Sequence, residues 1–328
     1  MALCAPLACG SSDEATTPRP GSSTGGAAGA AGQAGSGGSS AGAAGKGTVQ
    51  VRVATFNAEN LFNDKIDGEP GIQDEAMSTP TTAGYKAKLS AVSEILGLTG
   101  ADVIALQEVE NQAVLDDLSA QPGLTKNYPT RISIPGNDPR GIDVALLSTY
   151  PAVDVFTHKD ELFTGSTAMG DSFKFSRDCL EVHLAINGVR LVVLVSHFKA
   201  KLADNPAKRL AEAERTRAIA NAASAKYPEA AVLIIGDFND FPGSPPINAL
   251  QGAAPDLYTS AALTRPAADQ WSVTFNGQQK LHDDHRVNAL LEMRRVPGST
   301  MILHDPMLPN KTLQQASDHA PVVSTYAF

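Results

Sequence analysis

From Val49 the chain reads Val-Gln-Val-Arg-Val-Ala-Thr-Phe, alternating polar with apolar and then turning apolar, which predicts a first strand with one face buried. Apolar residues at helical spacing (Leu89, Val92, Ile95, Leu96) predict a helix over Tyr85–Leu98, closed by Gly97 and Gly100. Asp102–Gln107 reads as a short buried strand, Asn111–Leu118 as a helix and Gly141–Ser148 as another strand. Cys179–Ile186 and Val189–Ser196 flank Asn187-Gly188, a strong signal for a two-residue hairpin turn. Pro206–Lys226 is Ala-rich and charged, a long helix, and it leads into the apolar run Ala231–Gly236, a strand buried on both faces. Ala320–Tyr326 is the last strand. Strands, hairpins and helices mix without regular βα alternation and without an internal repeat, so a helix-covered sandwich of two mixed sheets fits better than a doubly wound sheet or a barrel.

Composition changes this picture at one end. Between Gly21 and Gly47, 24 of 27 residues are Gly, Ala or Ser, too little apolar surface to offset chain entropy, which predicts a disordered linker over residues 11–47 and one domain over 48–328. The charges before Thr48 (Asp13, Glu14, Arg19, Lys46) cancel, so the formal net charge of −9 falls on the domain. That balance argues against a protein that grips long DNA through phosphate neutralisation alone. No run of eighteen apolar residues exists, which excludes a long apolar helical span. Residues 1–10 end in Leu7-Ala8-Cys9-Gly10, which resembles the end of a bacterial lipoprotein signal with Cys9 as the lipidated residue. The run is short and lacks a basic start, which a start codon placed too far downstream accounts for. Export and a lipid anchor are therefore expected. Cys179 stands alone in the domain, so no disulfide forms within it.

Five predicted strand ends carry chemically capable residues: Thr55-Phe-Asn57, Gln107-Glu108, Ser196-His197, Gly236-Asp237-Phe-Asn239 and Ser317-Asp318-His319. One such end is an ordinary exposed turn; five drawn from across the chain predict a single cleft lined by strand ends. In this order and combination they resemble the endonuclease/exonuclease/phosphatase superfamily, DNase I-like, over Val51–Val323. The resemblance implies a four-layered α/β sandwich of two mixed β-sheets flanked by helices, with Mg²⁺-dependent phosphoester hydrolysis at one end of the sheets.

Carried onto this sequence, the resemblance makes Glu108 the principal metal ligand, since Mg²⁺ prefers one or two carboxylates and keeps waters for exchange with phosphate; Mn²⁺ and Ca²⁺ are alternatives. Asn57 is expected to orient Glu108 or a bound water, and Asp318 to serve as a second metal or water-orienting carboxylate. His319 is expected to be the base, a neutral imidazole near its working pKa, held by a carboxylate from one strand earlier. That carboxylate lies in His282-Asp283-Asp284-His285, where Asp283 and Asp284 compete; Asp284 is favoured because Asp284-His285 best reproduces the family dipeptide. Asp237 is expected to align the attacking water or protonate the leaving oxygen. Asn239, two residues on along an extended segment, faces the same way and donates to the phosphoryl group. His197 donates a hydrogen bond or proton. Arg177 and Arg140 are candidate phosphate anchors, while Lys208-Arg209 and Arg215-Thr-Arg217 read mainly as a solvated helix face, with Arg209 or Arg215 as the alternative brace for the site, and Asp143 as structural. Each has a plainer reading as a turn, cap or surface charge, and it is their combination that favours chemistry.

The expected substrate is a nucleic acid or another phosphodiester, and a monomer is expected. A sphingomyelinase or phospholipase C-like enzyme and a small-metabolite phosphatase share the same centre, and a catalytically dead binding module is the non-enzymatic alternative. Thr55-Phe-Asn-Ala-Glu-Asn-Leu-Phe resembles the start of extracellular bacterial nucleases of the superfamily. Against a lipid enzyme, the sequence shows no exposed aromatic hairpin, and Trp271 is the single tryptophan.

Overall fold

The computed structural model describes residues 47–66, 79–167, 170–304 and 312–328. Cys9, the lipoprotein-like start and the linker up to residue 46 lie outside the described residues.

Inward-facing apolar residues on alternate positions build two six-stranded sheets that pack face to face. The strands are β1 (Gln50–Leu61), β2 (Val103–Val109), β3 (Thr130–Ser133), β4 (Asp143–Ser148), β5 (Ala152–Phe156), β6 (Cys179–Ile186), β7 (Val189–His197), β8 (Ala231–Asp237), β9 (Thr259–Ser260), β10 (Val273–Phe275), β11 (Gln278–Lys280), β12 (Asp283–Val287), β13 (Met301–Ile302) and β14 (Val322–Ala327). One sheet runs β13-β14-β1-β2-β4-β3 and the other β5-β6-β7-β8-β12-β9. Within them β1–β2 and β7–β8 are parallel and the remaining pairs antiparallel, which makes both sheets mixed. The parallel pairs need crossovers, supplied by helix α1 (Thr82–Thr99) and, in the second sheet, by α3 (Pro206–Lys226); α2 (Gln112–Ser119) follows β2 and α4 (Pro245–Gln251) follows β8.

Three cores separate the four layers. Val51, Val53, Val103, Ala105, Val193, Val195, Leu233 and Ile235 fill the space between the sheets. The alternate residues Ala54, Phe56, Ile104 and Leu106 pack outward with Leu89, Val92 and Ile95 of α1. On the other outer face Val192, Leu194, Val232 and Ile234 pack with Ala213, Ile219 and Ala220 of α3. The period of two in the strands therefore decides what reaches each layer.

Three expectations are corrected here. Gly97 lies inside α1, where a Cβ would come within 2.1 Å of the Gly123 carbonyl oxygen; Gly100, at φ +57°, is the residue that closes the helix. β1 runs five residues past Phe56, to Leu61. The chain also has an aromatic hairpin: β10 and β11 pair around Asn276-Gly277, the same turn signal as Asn187-Gly188, and present Phe275 at 38% exposure.

Gly236 is placed where no other residue fits. At φ +144° its Cβ would sit 1.9 Å from the Ser196 carbonyl oxygen, on the β7–β8 pairing just before the site. Gly236→Ala is expected to cost on the order of 3 kcal/mol or more, read as a lowered urea midpoint; an unchanged midpoint would contradict this packing.

Candidate active site

Continuing the inward alternation past the last apolar residue of each strand brings the polar strand ends together. Val51, Val53 and Thr55 lead to Asn57; Val193 and Val195 lead to His197; Leu233 and Ile235 lead to Asp237; and, read backwards, Val287 and His285 lead to Asp283. Asn57 Nδ2 donates to Asp237 Oδ2 at 3.0 Å and approaches Glu108 Oε1 at 3.4 Å. His197 Nε2 lies 3.5 Å from Asp237 and 3.9 Å from Glu108.

Simple alternation would send Glu108 outward, beside Leu106. Instead the β2–β4 register slips between Gln107 and Val109, and Glu108 sits at φ 62° in a bulge that turns it into the cleft. There its Oε2 accepts from the Asn60 backbone N–H at 2.9 Å. Glu59 and Asn60 are also left-handed, at φ 48° and 54°, so the rim beside Glu108 is built from strained backbone.

The expected pairing of His319 with Asp284 is corrected. His319 Nδ1 is 2.6 Å from Asp283 Oδ2. Asp283 shares the inter-sheet face with His285, whose Nε2 reaches the Val322 carbonyl of the opposite sheet, whereas Asp284 faces away. There Asp284 accepts from the Ala262 and His285 backbone N–H groups and meets Arg286 Nε at 2.8 Å. A one-residue slip exchanges faces, and no dipeptide match can stand in for that.

Sequence reasoning missed Ser272. Its buried hydroxyl donates to Asp283 Oδ2 at 2.7 Å and accepts from the backbone of His282 and Asp283. Ser317, named in the sequence only as part of Ser317-Asp318-His319, donates to the Asn57 carbonyl at 2.6 Å and accepts the His319 N–H at 2.9 Å, tying the segment that leads into β14 to β1 within one sheet. Ser272, a lone serine, carried no sequence signal. Glu59 was legible only as part of Asn57-Ala-Glu-Asn60; its Oε2 accepts the Asp318 N–H at 3.1 Å and lies 3.8 Å from Lys88 Nζ.

The remaining expected residues separate. Asp318 is exposed at the mouth, 3.8 Å from His319 Nε2. Asn239 is not on extended backbone: at φ 50° it turns back, its N–H on Asp237 and its Nδ2 on the Phe198 carbonyl, so it holds Asp237 in place. Arg140 is exposed and forks onto Asp138; Arg177 is buried, with Nε 3.0 Å from Asp138 and Nη1 on the Phe198 carbonyl. The two arginines line one cavity of about 410 Å³ with Lys199 and Lys208. Its walls hang from α3, where the wholly buried Glu212 accepts the Ser176 and Lys199 backbone N–H groups at 2.6 Å each. Arg209, expected on a solvated face, is buried between Asp204 and Asp240.

Burial pulls His319 down, but the carboxylates of Asp283 and Asp237 outweigh it and lift its pKa to about 10. Burial lifts Asp283 to about 6 against the pull of His319. The carboxylates beside His319 therefore favour its imidazolium form in the cation-free cleft. Asp237, though buried, is held well below the usual carboxylate range by His319 and His197. Burial, then Arg177, hold His197 well below its ordinary value and keep it neutral.

Among the described residues, two places offer metal donors. Asp237, Asp283 and His319 bring one ligand atom each within 4.8 Å of one another, but His319 Nδ1 is committed to Asp283. Glu108 has the hard oxygen donors suited to Mg²⁺ and opens toward the mouth.

In sequence, residues 52–284 match the model of the Endonuclease/Exonuclease/phosphatase family. No curated protein sequence matches the chain. In structure the chain is similar to truncated TDP2 of Caenorhabditis elegans (15% identity, TM-score 0.54, covering 84% of this chain and 97% of that one). It is similar as well to the human Nocturnin catalytic domain with bound sulfate (17%, 0.57, 85% and 96%). A third similar structure is ANGEL2, a 2′,3′-cyclic phosphatase, in complex with adenosine-2′,3′-vanadate (12%, 0.55, 86% and 96%). At these identities the likeness is one of fold.

Proposed function

The chain belongs to the Endonuclease/Exonuclease/phosphatase family, and on that premise we propose that it is a divalent-cation-dependent nuclease or phosphodiesterase. The observation that carries this reading is the convergence of Asn57, Glu108, His197, Asp237 and the Asp283–His319 pair at one end of the inter-sheet face. A binding module would have no use for a buried ion pair aimed at a cleft.

Glu108, with Asn57 against it and Asp318 at the mouth of the cleft, would hold the cation, Mg²⁺ first and Mn²⁺ or Ca²⁺ on the same oxygens. Bound there, a divalent cation supplies positive charge that offsets the negative charge developing on a phosphoryl group. Asp237, kept ionised, orients the attacking water and accepts its proton as the new phosphorus–oxygen bond forms, and that proton passes to the leaving oxygen as its bond to phosphorus breaks. His319 presents Nε2 to the cleft while Asp283 holds Nδ1, so the imidazolium donates to the phosphoryl oxygen where charge builds. His197, neutral and buried, donates from Nε2 to the same group. Arg140 and Lys199 extend positive charge along the adjoining cavity. Export and anchoring through Cys9 belong to the same proposal, supported by Leu7-Ala8-Cys9-Gly10 and the Gly/Ala/Ser tract behind it.

The test is a panel of plasmid DNA, single-stranded DNA, RNA, sphingomyelin and a bis-aryl phosphodiester, with chelator and with Mg²⁺ restored. Hydrolysis of at least one nucleic acid, lost with chelator and regained with Mg²⁺, is expected. Sphingomyelin as the sole substrate would select the lipid reading, and a folded protein inert on every ester would select the binding module.

A further inference from the structure

Next to the Asp283–His319 pair lies a concavity of about 350 Å³ lined by Lys201, Phe241, Phe275, Asn276, Gln278, Lys280 and His282. Phe241 and Phe275, 39% and 38% exposed, line the same concavity and leave part of each ring open to it. Two ammonium groups flank Phe241: Lys201 Nζ lies 5.3 Å from the ring centre and Lys280 Nζ 4.8 Å. His282 forms the inner wall, its ring 6.1 Å from Phe275 and 6.5 Å from His319. His282 is 4% exposed, and its Nε2 is buried with no hydrogen-bond partner. A buried ring nitrogen without a protein partner is costly unless water or a ligand completes it.

We infer that this pocket seats the base of an unpaired nucleotide next to the scissile phosphodiester, which makes single-stranded nucleic acid the substrate of the cleft. The inference rests on the phosphodiesterase reading above. Aromatic rings give a base its stacking surface, the lysines reach its flanking phosphates, and the side-chain amides of Asn276 and Gln278 offer donors and acceptors to its edge. A base still paired in a duplex cannot enter. A lipid surface fits less well: the hairpin apex is the polar Asn276-Gly277, and Phe275 is more than half covered, as a pocket wall is and a membrane wedge is not.

The experiment measures binding by fluorescence anisotropy in the full chain carrying His319→Ala, with Mg²⁺ present. The probes are a labelled single-stranded DNA, the same strand with abasic sites, and its duplex; phosphatidylserine vesicles form a separate arm. The intact strand is expected to bind about tenfold more tightly than the abasic strand. Phe275→Ala and Phe241→Ala should each erase most of that ratio; Phe275→Trp should restore it and Phe275→Leu should not. Equal affinity for intact and abasic strands would overturn the inference, as would Phe275→Leu matching phenylalanine. Vesicle binding that Phe275→Ala abolishes, with no strand preference, would also overturn it in favour of a lipid surface. Because binding is the readout, these outcomes stand apart from failure of the hydrolysis panel.

Discussion

Glu108→Gln is expected to lower kcat/KM for any ester the protein cleaves by at least about two orders of magnitude, while leaving the unfolding midpoint close to that of the parent. The amide keeps the shape of the carboxylate and can still accept the Asn60 N–H that Glu108 Oε2 receives at 2.9 Å, so the bulge should survive. What is lost is the charge that faces the mouth. A titration of rate against Mg²⁺ checks this: the variant should need far more cation or fail to saturate. Superimposable curves would remove Glu108 from the cation site. Alanine is the poorer choice, because it would leave the strained backbone of Glu108, Glu59 and Asn60 without its side-chain tie.

The second large effect concerns Asp283. Asp283→Ala should cripple turnover by roughly 10²–10⁴-fold, because it strips His319 Nδ1 of its 2.6 Å partner. Asp284→Ala should act on stability instead: it leaves the buried Arg286 guanidinium unpaired, expected to cost about 3–5 kcal/mol, with turnover per folded molecule retained. The pH profile follows from the pair. Activity should rise as pH passes about 6 and Asp283 ionises, and fall toward about 10 as His319 loses its proton. A rate that keeps climbing through pH 10 would return His319 to the role of base. Stability has its own sign. A histidine whose folded pKa lies above its unfolded value stabilises most below about 6.5. That contribution declines as pH rises through about 10, so the cation-free protein should weaken over this window and His319→Ala should not show that slope.

Much of the layer structure was legible because it depends on period. Alternation in Val49–Val53, the hairpin turn before Val189–Val195, the continuous apolar run Ala231–Ile235 and helical spacing in Leu89–Leu96 are local signals that burial only confirms. The short strands β3, β5, β9 and β13 were not, being edge or near-edge segments of two to five residues whose pairing is set by partners distant in sequence. The β10–β11 hairpin announced itself through Asn276-Gly277 and went unread because its strands are only three residues long. At the site, residue types converged where strand ends predicted, yet orientation did not follow from type. Asp283 and Asp284 are adjacent and chemically identical, and only the register of β12 against β8, with Asp283 opposite Asp237, decides which one meets His319. Glu108 needed a bulge to face inward, and Asn239 a left-handed turn to face back; both depend on backbone that no spacing rule reports.

The claim that Asp283 and His319 act as one unit in the chemistry is tested most directly by a double-mutant cycle. kcat/KM is measured for the parent, Asp283→Ala, His319→Ala and the double variant, on the best substrate of the panel and at matched folded fraction. The account predicts large losses for both single variants and a double variant little worse than His319→Ala alone, since residues that act together are strongly non-additive. Losses that multiply, or a His319→Ala enzyme that keeps the parent rate, would contradict it.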